Sequence, residues 1–142
     1  MYENPKCRWA AVVWNPWSIP KHAILAWLIS KESLNTKVKL LRIGVCDEAN
    51  CCICDQEDES IDHLFYQCIY STRLIQAINE KVGVMLPGSR IIDWCKSRRG
   101  SKIQRRVQIM VAVAAAYHIW FQRNQARVEG KLDKPDFVAQ RI

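Results

Sequence analysis

The chain has 142 residues, 49% of them hydrophobic and six of them tryptophan, which is enough to build a real core and too apolar for a disordered segment. Its formal charge is +7, and its seven cysteines are an odd number that follows no apolar leader after Met1. This argues against a secreted disulfide scaffold and for an intracellular protein with reduced thiols, in nucleus or cytoplasm. The longest apolar run, Ile109 to Tyr117, is well short of the ~20 residues a membrane span needs.

Residues 1–20 carry Trp9, Trp14 and Trp17, broken by Pro5, Pro16 and Pro20. Ala11 to Trp14 can form a short strand, but a lone strand needs a partner. The tryptophans read either as caps on a helical core or as stacking platforms for bases. From Pro20 the chain predicts a helix, with Ile19, Ala23, Ile24, Trp27 and Leu28 at spacings of three and four. A second helix is expected over about 35–43, with Leu34, Val38 and Leu41 on one side, Asn35 or Thr36 as cap and Gly44 as stop. The two helices read as a packed hairpin.

The next stretch is the most specific. Cys51-x2-Cys54-x8-His63-x4-Cys68 places three thiols and one imidazole where a chain reversal can bring them to one tetrahedral Zn²⁺. Four protein ligands leave no site for a catalytic water, so the site reads as structural, with an apparent binding energy of roughly 10 to 16 kcal/mol by zinc-finger precedent. Cys46 and Cys52 are possible substitutes. Ser60 can cap a short helix that presents His63 on one side and packs Ile61, Leu64 and Phe65 on the hairpin. Half of all the acids, Asp47, Glu48, Asp55, Glu57, Asp58, Glu59 and Asp62, fall between Arg42 and Arg73, where there is no Lys or Arg. Phosphate would be repelled from such a surface.

A further helix is expected from Ser71 to Val82 with Leu74, Ile75 and Ile78 inward, ending before Gly83, Pro87 and Gly88. Lys96, Arg98, Arg99, Lys102, Arg105 and Arg106 then place six cations within eleven residues. This run suits a phosphate backbone of RNA or DNA, and equally a solvated helix approach or an import signal. It leads into the longest predicted helix, about 103–129, ~40 Å long at ~1.5 Å per residue. Ile103, Val107, Met110, Ala114, Tyr117 and Phe121 form its apolar stripe, widened by Ile109, Val113 and Trp120. Arg123, Asn124 and Arg127 make its end polar, with Arg123 and Arg127 as further phosphate candidates, and Gly130 stops it. The tail to Ile142 can hold a short final helix. His22 and His118 read as ordinary polar or interface residues.

These residues carry a family likeness. Trp14, Pro20-Lys21, Trp27, Arg42-Ile43-Gly44, Cys51 and Cys54, Glu59-Ser60, His63-Leu64-Phe65 and Cys68 resemble the zinc-binding domain that follows reverse transcriptase in plant non-LTR retroelements. Tyr117 to Lys131 is similar to the Ile-Trp-x2-Arg-Asn helix that often lies between that domain and a ribonuclease H. No polymerase Asp-Asp signature or nuclease constellation can be assembled. The chain therefore looks like a retroelement tail put to separate use, and no enzyme is expected.

The expected fold is mainly α, a small helical domain stapled by one Cys3His zinc site and completed by a long C-terminal helix. It is read as a single domain over 1–142: a zinc-binding region over 14–82, a basic connection over 83–101 and the long helix over 102–131. The expected function is a non-catalytic zinc module that binds nucleic acid near 96–106. The alternative is a protein-interaction adaptor or homodimer that uses the long helix.

Overall fold

Pro20 opens helix α1 (Pro20–Ser30), where its fixed φ suits the first turn and its missing N–H removes no helical bond. The computed structural model of the protein describes residues 19–83 and 101–142. The Trp9, Trp14 and Trp17 segment, the expected 11–14 strand, Lys96, Arg98 and Arg99 lie outside the described residues, as does the side chain of Lys102. The other elements are α2 (Lys37–Arg42), a π turn (His63–Gln67), α3 (Ile69–Val82), α4 (Lys102–Glu129) and α5 (Pro135–Gln140). Among the described residues there is no strand, only one isolated bridge between Asn50 and Asp58. No described helix is long and apolar enough to cross a membrane.

The mainly α fold with a long C-terminal helix is as expected, but several helices turn a different face inward. On α1 the core takes His22, Ala23, Leu25, Ala26 and Ile29, while Ile19, Ile24 and Trp27 are exposed. The helix is apolar nearly all round, so spacing alone cannot choose a face. Small residues decide it, because α1 packs along α4 with Ala23 and Ala26 in the same core as Ala112, Ala115 and Ala116. Its main partner is thus α4, not α2, and the expected hairpin is not a packed pair. On the short α2, Leu40 is buried and Leu41 exposed, the reverse of the expectation, whereas Leu34 is buried as expected. Gly44 (φ +79°) supplies the left-handed conformation that ends this segment.

The largest reversal concerns α4. Its start is set by a capping box: Gln104 N donates to Ser101 Oγ (3.2 Å), and Ser101 N donates to Gln104 Oε1 (2.9 Å). Its core row is Ile109, Ala112, Val113, Ala116, Ile119 and Arg123, with Ala115 and Gln122 beside it. Ile103, Val107, Met110 and Phe121 of the expected stripe are exposed and Tyr117 is half-buried, while Ile109 and Val113, expected to widen it, are buried. Both rows have helical spacing, and side-chain volume favours the wrong one. Alanines allow closer helix approach than bulky side chains do, and the buried row ends in polar residues that have partners.

The C-terminal end is held by such partners. Gln122 Nε2 donates to Asp133 Oδ2 (3.2 Å), Asp133 N donates back to Gln122 Oε1 (3.0 Å), and Tyr70 Oη donates to Asp133 O (2.6 Å). This turns the chain so that α5 lies on α3, with Val138 and Ala139 in the core against the side of Leu74 and Ile78. Lys81 Nζ donates to the carbonyls of Ala139 and Gln140, satisfying the end of α5.

The two rows of α4 make separable predictions. Ile119→Ala should cost about 2–5 kcal/mol in urea unfolding, and Ile103→Ala, on the outward row, should stay within about 0.5 kcal/mol of the parent. Equal losses would contradict the observed facing.

Candidate metal centre

The cysteine loop is folded by its own backbone. Cys51 N donates to Glu57 O (2.8 Å), Asp55 N donates to Cys51 O (3.0 Å), and Glu59 N donates to Ala49 O (2.7 Å), so the chain from 49 to 59 doubles back on itself. Asp55 takes φ +55°, which completes the tight turn that carries Cys51 and Cys54 side by side. Ser60 Oγ accepts from His63 N (3.0 Å), the expected cap, and Cys68 N reaches back to His63 O (2.6 Å) to close the π turn. Leu64 and Phe65 anchor that turn in the core, and it packs on α3 and α4, not on an α1–α2 hairpin.

These devices bring the side chains of Cys51, Cys54, His63 and Cys68 together, with their ligand atoms all within 4.8 Å of one another. Zn–S bonds of about 2.3 Å and a Zn–N bond of about 2.0–2.1 Å give tetrahedral edges of about 3.5–3.8 Å. Cys54 Sγ and His63 Nε2, 3.2 Å apart, are already close to that spacing. Cys51, His63 and Cys68 are buried and Cys54 is half-buried, so the site is enclosed on three sides. The donor set fits zinc: soft thiolates with one imidazole, in a cluster small enough for one ion to reach all four.

The surroundings fit as well. With Nε2 bound to a metal, the imidazole proton would sit on Nδ1, which is buried, has no hydrogen-bond partner and lies 3.4 Å from Glu57 Oε2. A slight movement of that exposed carboxylate would supply the acceptor a metal-bound histidine normally has. A hydrogen bond with Cys68 holds the Cys51 thiol well below the ordinary thiol range, backbone N–H groups of Cys54 and Ile53 adding to it against burial. The Cys68 thiol, holding the shared proton, is pushed up.

The two candidate substitutes stand outside this cluster. Burial and the neighbouring Glu59 charge push the Cys52 thiol up to about 11. Cys46 Sγ is occupied with the carbonyl of Glu48 at 3.1 Å. His22 and His118 flank Tyr117 at the edge of a separate apolar cavity of about 240 Å³, and burial lowers both imidazoles below their ordinary value.

One residue beside the cluster has a role that neither composition nor spacing revealed. Glu59 is completely buried, and Arg123 from α4 meets it through Nε (2.9 Å) and Nη2 (2.7 Å) on Oε1. Arg123 is itself 1% exposed, with Nη2 also donating to Asn35 O, Nη1 to Asn124 Oδ1, and its guanidinium 4.7 Å from the Trp120 ring centroid. It is therefore not available to phosphate, contrary to its reading as part of a polar helix end. The missed signal is positional: Arg123 follows Ala116 and Ile119 on the buried row.

Of the six residues expected to meet nucleic acid, the described ones fall in the first turns of α4. Arg106 is exposed, and Arg105 is half-buried with its Nε unpartnered. No acidic residue occupies that first turn.

The buried pair makes a pH prediction. Burial pushes the Glu59 carboxyl up, but hydrogen bonds from Arg123 and from the N–H groups of Cys52 and Lys37 outweigh it and hold the carboxyl below its ordinary value of 4.5. The stabilisation is then complete above that value and is lost as pH falls through the lower, folded-state value. Under identical metal conditions, stability should fall less steeply in acid for Glu59→Gln than for the parent, by up to about 1.4 kcal/mol per pH unit. At neutral pH, Arg123→Met should cost about 3–5 kcal/mol, because a buried carboxylate is left alone.

Comparison with protein families matches residues 1–74 to the model described as zinc-binding in reverse transcriptase. No curated protein and no solved structure matches the chain. The match spans just over half of the chain and takes in the whole of Cys51 to Cys68, the stretch whose side chains converge. The chain belongs to the family of zinc-binding domains in reverse transcriptase.

Proposed function

We propose that the protein is a non-catalytic zinc module in which Cys51, Cys54, His63 and Cys68 hold one structural Zn²⁺ and a basic surface near 96–106 binds RNA or DNA. The observation that carries the metal assignment is the convergence of four protein ligand atoms within 4.8 Å. Zinc bound there supplies four bonds that pin the loop to the start of α3. Because the chain itself furnishes a complete tetrahedral set, no position is left for an activated water. Cys51 and Cys54 would hold the ion from the turn, and His63 and Cys68 from the two ends of the π turn.

The nucleic-acid surface is assigned to Lys96, Arg98, Arg99, Lys102, Arg105 and Arg106. It is supported by the run of cations in the sequence, the exposure of Arg106 and the absence of acids from the first turn of α4. The exposed acids Asp55, Glu57 and Asp58 beside the thiols argue that phosphate does not approach at the metal. The reading also treats 1–142 as one domain, since α1, α3, α4 and α5 contribute to a shared core, and places it inside the cell, where thiols stay reduced. A second reading, docking of a protein partner or second copy, is favoured by the outward row Ile103, Val107, Met110 and Phe121 on α4. A concentration-independent monomer by light scattering would count against it.

Metal analysis of the purified protein should give one zinc per chain. Cys54→Ser and His63→Ala should lose it, while Cys46→Ser and Cys52→Ser should keep it. For nucleic acid, six phosphate contacts on a duplex would give a log–log salt slope of about −5. Charge reversal at Arg98, Arg99, Arg105 and Arg106 should abolish binding and leave the zinc in place. Undetectable binding by the parent at low salt would overturn this part of the reading.

A further inference from the structure

The family match ends at residue 74, yet the loop it contains is anchored on a residue well beyond it. Both oxygens of Glu59 are engaged. Oε1 accepts from Arg123 Nε and Nη2 and from Lys37 N (3.0 Å), while Oε2 accepts from Cys52 N (3.0 Å). Cys52 follows the first thiol of the cluster and opens the turn to the second. The same carboxylate therefore fixes the backbone of that turn, the start of α2 and one turn of α4.

From this geometry we infer that Glu59 and Arg123 are positioning residues of the metal site, so that zinc occupancy and docking of α4 are one linked equilibrium. The inference rests on the reading that Cys51, Cys54, His63 and Cys68 hold zinc. Without Arg123, Glu59 is a buried charge with only backbone donors. It must take up a proton or leave the interior, and either change weakens or breaks the bond to Cys52 N. The turn carrying Cys51 and Cys54 then loses its tie to a carboxylate that is otherwise fixed in the interior. Linkage makes the effect reciprocal: if docked Arg123 raises zinc affinity, bound zinc must stabilise the docked state of α4 by the same factor.

The test uses the full chain. Zinc affinity is measured by competition with a chromophoric chelator for the parent, Arg123→Met, Glu59→Gln and Val138→Ala, the last truncating the α3–α5 contact away from the loop. Arg123→Met and Glu59→Gln should bind zinc roughly 10- to 100-fold more weakly, the range for residues that support metal ligands. Val138→Ala should stay within about twofold of the parent, as expected for independent sites. In the parent, stripping zinc should also raise amide hydrogen exchange over 119–126.

The outcomes separate the two ideas. If the parent binds no zinc, or Cys54→Ser binds it as tightly as the parent, the metal assignment fails and takes the inference with it. If the parent binds zinc but Arg123→Met and Glu59→Gln match it within about twofold, or Val138→Ala weakens zinc as much as they do, the linkage alone is overturned. Should both variants fail to fold, the parent decides: unchanged exchange over 119–126 on zinc removal would sink the linkage.

Discussion

The buried ion pair between Glu59 and Arg123 is the constraint on which the rest of the arrangement depends. Moving two charges out of water costs several kcal/mol per ion, so such a pair is not explained by stability alone. Here it is surrounded by groups that an apolar replacement would strand. Thr36 makes no side-chain cap for α2, and the helix's first N–H goes to Glu59 instead. Cys52 N–H has the same acceptor, and Asn35 O receives Arg123. A hydrophobic pair of equal volume would take the partners away from these part-buried polar groups. The pair therefore ties together three segments, the cysteine loop, the start of α2 and α4.

That arrangement also shows which parts of the fold could be read from the sequence. The thiol and imidazole spacing was legible because a metal ligand is set by residue type and loop length, both visible in one dimension. Ser60 as a cap and Gly44, Gly83 and Gly130 as stops were legible for the same local reason, and all three glycines take positive φ. The Ser101–Gln104 capping box is equally local, set by two residues three apart.

The faces of α1 and α4 were not legible, since each carries two apolar rows and only their mutual packing chooses between them, whereas α3 buries Leu74 and Ile78 as its spacing predicts. Volume pointed to Met110 and Phe121, whereas close approach through Ala112, Ala115 and Ala116 was the deciding term. Nor could composition or spacing tell Glu59 from Asp58 or Glu57; the family likeness names Glu59-Ser60 but gives the carboxylate no role. Its distinction is a partner 64 residues away.

The charge distribution takes on a different meaning once Arg123 is placed. One cation is removed from the surface to neutralise one of the loop acids, and Asp55, Glu57 and Asp58 near the thiols stay exposed. From Arg106 to Arg123 along α4 is about 25 Å, at ~1.5 Å per residue. That is well beyond the ~8–10 Å over which charges act at physiological salt. The acidic loop at one end therefore does little to repel phosphate at the other. A zinc ion held by three thiolates and one imidazole carries a net negative charge, so the metal is itself no attraction for phosphate. Arg123, bonded to Glu59, is where α4 is fastened to the cysteine loop.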